Sequence, residues 1–218
     1  MRVVVVGGHG KIARLLAPLL VARGDEVVPL VRRPEHADAL AALGTQPALL
    51  DIEASDADDF ASVMVGADAV VFAAGAGPDG NAGRKRSVDL EGSLKAQDGA
   101  RLAGVRRFVQ VSAIGVDAPI TDDMPAVWAA YVVAKRDADE ALRATDLGWT
   151  ILRPGGLTDQ PGSGRVTLGD EVARRDVPRA DVAAVVAAVL LDDRAVGHQW
   201  ELVAGDTPIP EALTRATA

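Results

Sequence analysis

Residues 3–16 read VVVVGGHGKIARLL, and this stretch limits the fold of the chain more than any other. Four consecutive valines are β-branched, stiff and apolar on both alternating faces of a strand, so Val3 to Val6 belongs in a sheet covered on both sides. Gly7, Gly8 and Gly10 then interrupt the run. Ile12, Leu15, Leu16, Leu19 and Leu20 follow at i, i+3, i+4, i+7 and i+8, the spacing of a helix that buries one face and stops near Gly24. A strand covered on both faces is typically parallel to its neighbours, and parallel neighbours require crossovers.

The rest of the chain repeats that unit. EVVPLV, QPALLD, DAVVFAAG, RRFVQVSA and WTILRP read as strands. PEHADALAALG, DADDFASVMVG, a long helix from Ser87 to Ala103 and another from about Pro125 to Thr145 read as the helices between them. GRVTL as a short strand, RADVAAVVAAVLL as a helix and WELVA as a last strand complete the pass. Right-handed crossovers turn this order into a doubly wound parallel sheet in a three-layer αβα α/β fold. No Pro/Ser-rich linker or repeat divides the chain, so residues 1–218 are expected to form one domain. Residues from about 154 to 218 are expected to contribute a small C-terminal lobe for the substrate.

Composition narrows the partners. With 218 residues, 49% apolar and 25% charged, the chain can bury one sizeable soluble core. No apolar run is long enough to span a bilayer and MRVVVV is too short for a signal peptide, so no membrane partner and a cytoplasmic location are expected. The absence of cysteine agrees with a reducing compartment. His9, His36 and His198 lie far apart without ligand spacing, so no metal site is expected. A net charge of −8 lacks the basic stripe that nucleic acid demands. The expected partner is a small-molecule substrate, with the chain a monomer or homodimer.

In a doubly wound sheet, ligands bind beyond the carboxyl ends of the strands, beside the first strand-to-helix turn. Gly7, Gly8 and Gly10 occupy that turn, and Lys11 and Ile12 open the helix after it. Residues without Cβ let the main chain approach a diphosphate, whose charge is favoured by free N–H groups at a helix start. Ala13 takes the third small position in the pattern Gly7-x-x-Gly10-x-x-Ala13. A plain tight turn would use the same glycines; the strand before and helix after favour a dinucleotide, with His9 bordering the phosphates through its backbone. At the end of the second strand, LVRRPEH sets Arg32 and Arg33 where an acidic residue would read a ribose 2′-hydroxyl. Guanidinium groups suit a 2′-phosphate, so NADP is the expected cofactor, NADPH preferred over NADH; two solvated arginines are the alternative.

Taken together, VVGGHGKIA, LVRRPE, LLDIE, VVFAAGAG, VDLEGSLKAQDGARLAGVRRFVQVSAIG, YVVAK, ILRPGGLT and RADVA resemble the short-chain dehydrogenases/reductases over essentially the whole chain. The resemblance is to the atypical NAD(P)H-binding branch that includes NmrA-like and NAD-dependent epimerase-like proteins, and it implies a Rossmann fold. It also implies that Asp51 and Ile52 touch the adenine, that Ala73, Ala74 and Gly75 line the middle of the cofactor, and that Pro154, Gly155 and Leu157 close over its nicotinamide end. A cofactor lying across the strand ends independently leaves no room for large side chains at 73–75. An Asp51 that only caps or orders a loop is an equal reading of that residue alone. Asp89 stands where typical members of the superfamily carry asparagine.

YVVAK holds the sole tyrosine of the chain, four residues before one of its four lysines, so Tyr131 and Lys135 share a helix face. A neighbouring ammonium favours a phenolate, which otherwise forms only near pH ~10. Tyr131 is therefore the expected acid/base and Lys135 its tuner and the holder of the nicotinamide ribose. Ser112, at the carboxyl end of RFVQVSA, is the expected hydrogen-bond donor to a substrate oxygen. These three match the family's Ser, Tyr and Lys. The expected function is an NADP(H)-dependent oxidoreductase of the atypical short-chain class, acting on a small carbonyl or alcohol. The alternatives are an NADPH-binding redox sensor without turnover and an NAD-dependent epimerase or dehydratase. Ile120, Met124, Trp128 and Leu157 read as a substrate wall or as ordinary core or lid contacts. GRKR, near the crevice, reads as a solvated helix start in preference to a cluster that attracts an anionic ligand, and Gly75 to Gly83 as a flap that orders on cofactor binding.

Overall fold

A computed structural model describes residues 1–77 and 81–218. In chain order the elements are β1 (Arg2–Val6), α1 (Lys11–Ala22), β2 (Glu26–Val31), α2 (Pro34–Ala41), β3 (Ala48–Leu49), α3 (Ala57–Met64), β4 (Ala69–Phe72) and α4 (Ala82–Arg84). A π-helical segment, Lys85–Glu91, then runs into α5 (Gly92–Leu102), β5 (Arg107–Val111), α6 (Ala126–Arg143) and β6 (Gly148–Pro154). The remainder is β7 (Gly156–Thr158), β8 (Arg165–Gly169), β9 (Asp176–Pro178), α7 (Arg179–Val189), a 3₁₀ turn (Asp193–Ala195), β10 (His198–Ala204), β11 (Thr207–Pro208) and α8 (Ile209–Ala216).

The valine run does what its chemistry requires. Val3 and Val5 face one side of the sheet, where Leu16 and Leu20 of α1 and Val186 of α7 cover them. Val4 and Val6 face the other, against Phe60 and Met64 of α3, Phe108 of β5 and Ile151 of β6. All four valines are buried, so a polar residue at any of them would lose water on either face. The helix after the turn buries Ile12, Ala13, Leu16, Ala17 and Leu20, whereas Leu15 and Leu19 are exposed. The buried stripe thus runs through the small residues, which bring α1 close to the sheet and to α7.

The sheet has nine strands in the order β11-β8-β10-β6-β5-β4-β1-β2-β3. From β3 to β10 the strands are parallel; β8 runs antiparallel to β10, and β11 antiparallel to β8. Val4 sits between Val28 of β2 and Val70 of β4, so the chain order reverses at β1. That is a Rossmann-like α/β fold. Beyond residue 154, β8, β10 and β11 extend the same sheet, while β7 and β9 form a separate parallel pair past the end of β6. β3 is shorter than the QPALLD strand expected of it, because it lies at the edge and Pro47 precedes it without an N–H to donate.

The stretch before the long helix departs most from expectation. Helical structure begins at Ala82 instead of Ser87, and Lys85–Glu91 is wound as a π-helix whose buried residues are Lys85, Val88 and Asp89. GRKR is therefore no solvated helix start at Lys85. Residues 78–80 of the expected flap lie outside the described residues. α5 then packs on α3 at Gly99, where a Cβ would stand 2.5 Å from the Phe60 Cβ. Among the described residues no helix is long and apolar enough to cross a membrane.

Candidate active site

The reversal of strand order opens a cleft of about 310 Å³ beyond the carboxyl ends of β1, β2, β3 and β4. Gly7, His9 and Gly10 of the first turn line it, with Arg32 and Arg33 after β2, Asp51 and Ile52 after β3, and Ala73, Ala74 and Gly75 after β4. The turn is fastened to both neighbours: the Gly8 N–H donates to the Leu30 carbonyl, and the Ala73 N–H to the Val6 carbonyl, each at 3.0 Å.

The glycines have separable reasons. Gly7 has φ +82°, and a Cβ there would stand 2.6 Å from the Ala74 Cα. A Cβ on Gly8 would run into the Pro29 ring of β2. Both are imposed by the flanking strands, a packing requirement that the reading of these glycines as room for a ligand leaves out. Gly10 is different, because the nearest atoms to its missing Cβ are the Gly7 carbonyl at 3.0 Å and the Ala73 carbonyl at 3.6 Å. It caps α1 in an extended conformation with no side-chain hydrogen bond, and no acidic residue stands in the first turn of the helix. An uncapped helix start facing a cleft that also receives two arginines is the donor set of an anion site, and the main chain here fits a dinucleotide diphosphate. Ile12 is buried in the core, so only its backbone can contribute, and Lys11 pairs with Asp159 at 2.5 Å, which Arg179 also holds at 2.7 Å.

Three polar lining residues were not among the expected site residues. Glu53 accepts a hydrogen bond from Ser87 Oγ at 2.7 Å and one from Arg84 Nε at 3.3 Å, and its carboxylate lies 3.6 Å from an Arg32 nitrogen. His36, from α2, stacks on His9 with ring centroids 3.6 Å apart and planes 3° from parallel. Burial, with His36 and Arg14 nearby, holds the His9 imidazole below its ordinary pKa. The third is Arg84, at the mouth of the π-helical segment. The signal for the histidine pair was topological: each follows the end of one of two adjacent strands.

At the same carboxyl edge of the sheet, beside the ends of β4 and β5, α6 brings Tyr131 and Lys135 to the strands. The Tyr131 ring lies 5.2 Å from the Trp128 ring, and the Lys85 ammonium stands 5.8 Å from the Tyr131 centroid while donating to the Gly77 carbonyl. Trp128, Ile120 and Leu157 are exposed. Lys135 is only 5% exposed; its ammonium is 3.2 Å from Asp89 and donates to the carbonyls of Val111 at 3.3 Å and Ala74 at 3.4 Å. Lys135 favours the phenolate as expected, but its pull is outweighed. Burial raises the Tyr131 pKa above 10.0, and the Asp89 and Asp139 carboxylates add to the rise against the pull of Lys135.

Ser112 is buried at the end of β5, and its hydroxyl donates to Asp139 at 2.8 Å. Asp139 also accepts from Gln110 at 2.7 Å and from Arg153 Nε at 2.9 Å, and Arg153 reaches on to a bidentate pair with Asp117 at 2.5 and 3.1 Å. The serine proton is thus committed to a carboxylate, and the expected free donor to substrate is not offered in this arrangement. Pro154 is buried at the end of β6, and Gly155 is a glycine because a Cβ there would run into the Arg175 carbonyl. Among the described residues no three His, Cys, Asp or Glu side chains gather as metal ligands.

A strand-order reversal, an uncapped glycine turn and a cleft running across the ends of the central strands define the dinucleotide-binding class of Rossmann proteins. The chain belongs to the NAD(P)H-binding family, which matches residues 7–193. It is 36% identical over 216 residues to a Bacillus subtilis protein named as an uncharacterized sugar epimerase, YhfK, covering 99% of this chain and 100% of that one. A Bacillus halodurans structure assigned by name to the NAD-dependent epimerase/dehydratases superposes with a TM-score of 0.90 at 36% identity, covering 99% of both chains. The Lactococcus lactis oxidoreductase ylbE superposes with a TM-score of 0.87 at 27% identity, covering 99% of this chain and 96% of that one.

Proposed function

We propose that the protein is an NADP(H)-dependent oxidoreductase of the atypical short-chain class, acting on a small carbonyl or alcohol, with Tyr131 as the acid/base. The observation that carries the reading is the sole tyrosine, half-buried on α6 between Trp128 and Lys85, with buried Lys135 one helical turn away. The uncapped start of α1 and Gly10 would hold the diphosphate, and Ala73 to Gly75 leave room for the middle of the dinucleotide. Arg32 and Arg33 would favour a 2′-phosphate, with Glu53 restraining the first of them. The bound nicotinamide would supply or accept a hydride at the substrate carbon. Tyr131 would give its proton to the carbonyl oxygen in reduction, or take one from the hydroxyl in oxidation. Trp128, Ile120 and Leu157 give the substrate an apolar approach. Ser112 enters as a residue that orders Asp139.

The names of two relatives favour a second reading, epimerisation or dehydration through a transient oxidation with no net change in the cofactor. A substrate screen with the holoprotein separates the two, because only the oxidoreductase changes nicotinamide absorbance stoichiometrically. Tyr131→Phe is expected to keep NADPH affinity within about twofold and lower turnover by about 10²–10⁴. A fully active Tyr131→Phe protein would remove Tyr131 from the chemistry.

A further inference from the structure

Asp89 is the most deeply buried charged group facing the tyrosine from outside its own helix, at 1% exposure. The π-helical winding of Lys85–Glu91 places it inward together with Lys85 and Val88. One of its oxygens, Oδ2, accepts the Ala76 N–H at 3.0 Å and so fastens the loop that follows β4. The other, Oδ1, faces the Lys135 ammonium at 3.2 Å but makes no hydrogen bond of good geometry, although its surroundings are dry. Gly75 leaves room for it, since a Cβ there would stand 3.1 Å from Oδ1. The carboxylate therefore neutralises the lysine without being locked to it.

Charges facing Tyr131 from the surrounding elements pair off in the same way. On α6 stand Lys135 and Asp139, and on β6 stands Arg153, whose guanidinium is bound to Asp139 and to Asp117 of the loop after β5. From the π-helical segment come Asp89 and Lys85, the latter with its ammonium on the Gly77 carbonyl. Arg84 of α4 is taken by Glu53.

We propose that Asp89 is a positioning residue that cancels the charge of Lys135 and keeps Tyr131 a protonated phenol, so that the site is built to donate a proton to a carbonyl. Removing a proton from an alcohol would have to begin from the minor phenolate form. The inference rests on the proposed function for its consequence, but its physical content is a property of the free protein. Burial, Asp89 and Asp139 all raise the phenol pKa, in the direction the geometry requires.

The chain has one tyrosine, so its ionisation can be read directly. The test is an alkaline titration of tyrosinate absorbance on the full chain without ligand, with far-ultraviolet circular dichroism marking the range in which it stays folded. The wild-type midpoint is expected above 10.0. Asp89→Asn, which leaves Lys135 without its counter-ion, is expected to lower the midpoint by about one unit or more. Lys135→Gln, which leaves the carboxylate without its cation, is expected to raise it, and the double variant to return near wild type. A purely structural role would not move the midpoint in opposite directions for the two partners. A midpoint unmoved or raised in Asp89→Asn, or unmoved in Lys135→Gln, overturns the proposal. If Asp89→Asn does not fold, Lys135→Gln and the double variant decide it. Because the titration needs neither coenzyme nor substrate, a protein that turns nothing over can still show the expected shifts. Loss of the proposed function and loss of this inference are therefore distinguishable.

Discussion

Replacing Arg32 by alanine separates the two coenzymes by an amount the geometry bounds. A charge-assisted hydrogen bond to a phosphate contributes about 1.5–3 kcal/mol. Arg32 should deliver the lower end of that range, because its side chain is 47% exposed and Glu53 shares the guanidinium at 3.6 Å. At about 1.4 kcal/mol, the expected loss is roughly tenfold in NADPH affinity, while NADH, lacking the 2′-phosphate, should change by less than about twofold. Glu53→Gln acts oppositely: it frees Arg32 and removes a negative charge from the phosphate's surroundings, so NADPH should tighten about threefold. Fluorescence titration of wild type and both variants with each coenzyme gives the four ratios needed. Equal losses for NADPH and NADH in Arg32→Ala would refute the 2′-phosphate reading and leave Arg32 a solvated side chain partnered by Glu53.

Further outcomes follow from packing and charge. Gly99→Ala adds a Cβ 2.5 Å from the Phe60 Cβ and 3.0 Å from the Ala61 nitrogen, so α3 and α5 must part. Urea unfolding should show a loss of about 1–3 kcal/mol, and an unchanged midpoint would mean the helices yield freely. Arg153 holds the Asp117 carboxyl below its ordinary value of 3.8 through a hydrogen bond that outweighs partial burial. Its stabilising contribution is therefore fully present above that value and is lost as pH falls through the lowered one. Asp117→Asn should cost about 0.5–1 kcal/mol near neutrality, discounted for an exposed carboxylate, and the difference from wild type should fade in acid. A difference that persists below the folded value would assign the loss to packing.

The sheet was legible because its signal is local. Four valines demand cover on both faces, and the glycine turn after them sets the ligand crevice wherever the strand order reverses. The cleft half of the site followed from the same logic, since residues 7–10, 32–33, 51–52 and 73–75 all lie just after strands that the chain's pattern reveals. Spacing alone could not show which face of α1 is buried, because Leu15 and Leu19 fit the helical period as well as Ala13 and Ala17 do, and only the neighbouring α7 decides. The polar interior was least visible. Asp89, Gln110, Asp139 and Arg153 lie on different elements, each reading as an unremarkable polar residue, and their pairing exists only once α6 lies across β5 and β6. That network also explains why Ser112 and Lys135, sound as a motif, meet carboxylates first.

The proposed function depends first on the main chain of residues 7–13 meeting a nicotinamide dinucleotide. Isothermal titration calorimetry of the full chain with NADPH, and separately with NADH, tests this most directly. The expected result is saturable binding of one coenzyme per chain, tighter for NADPH. No detectable heat with either coenzyme up to millimolar concentration would contradict it.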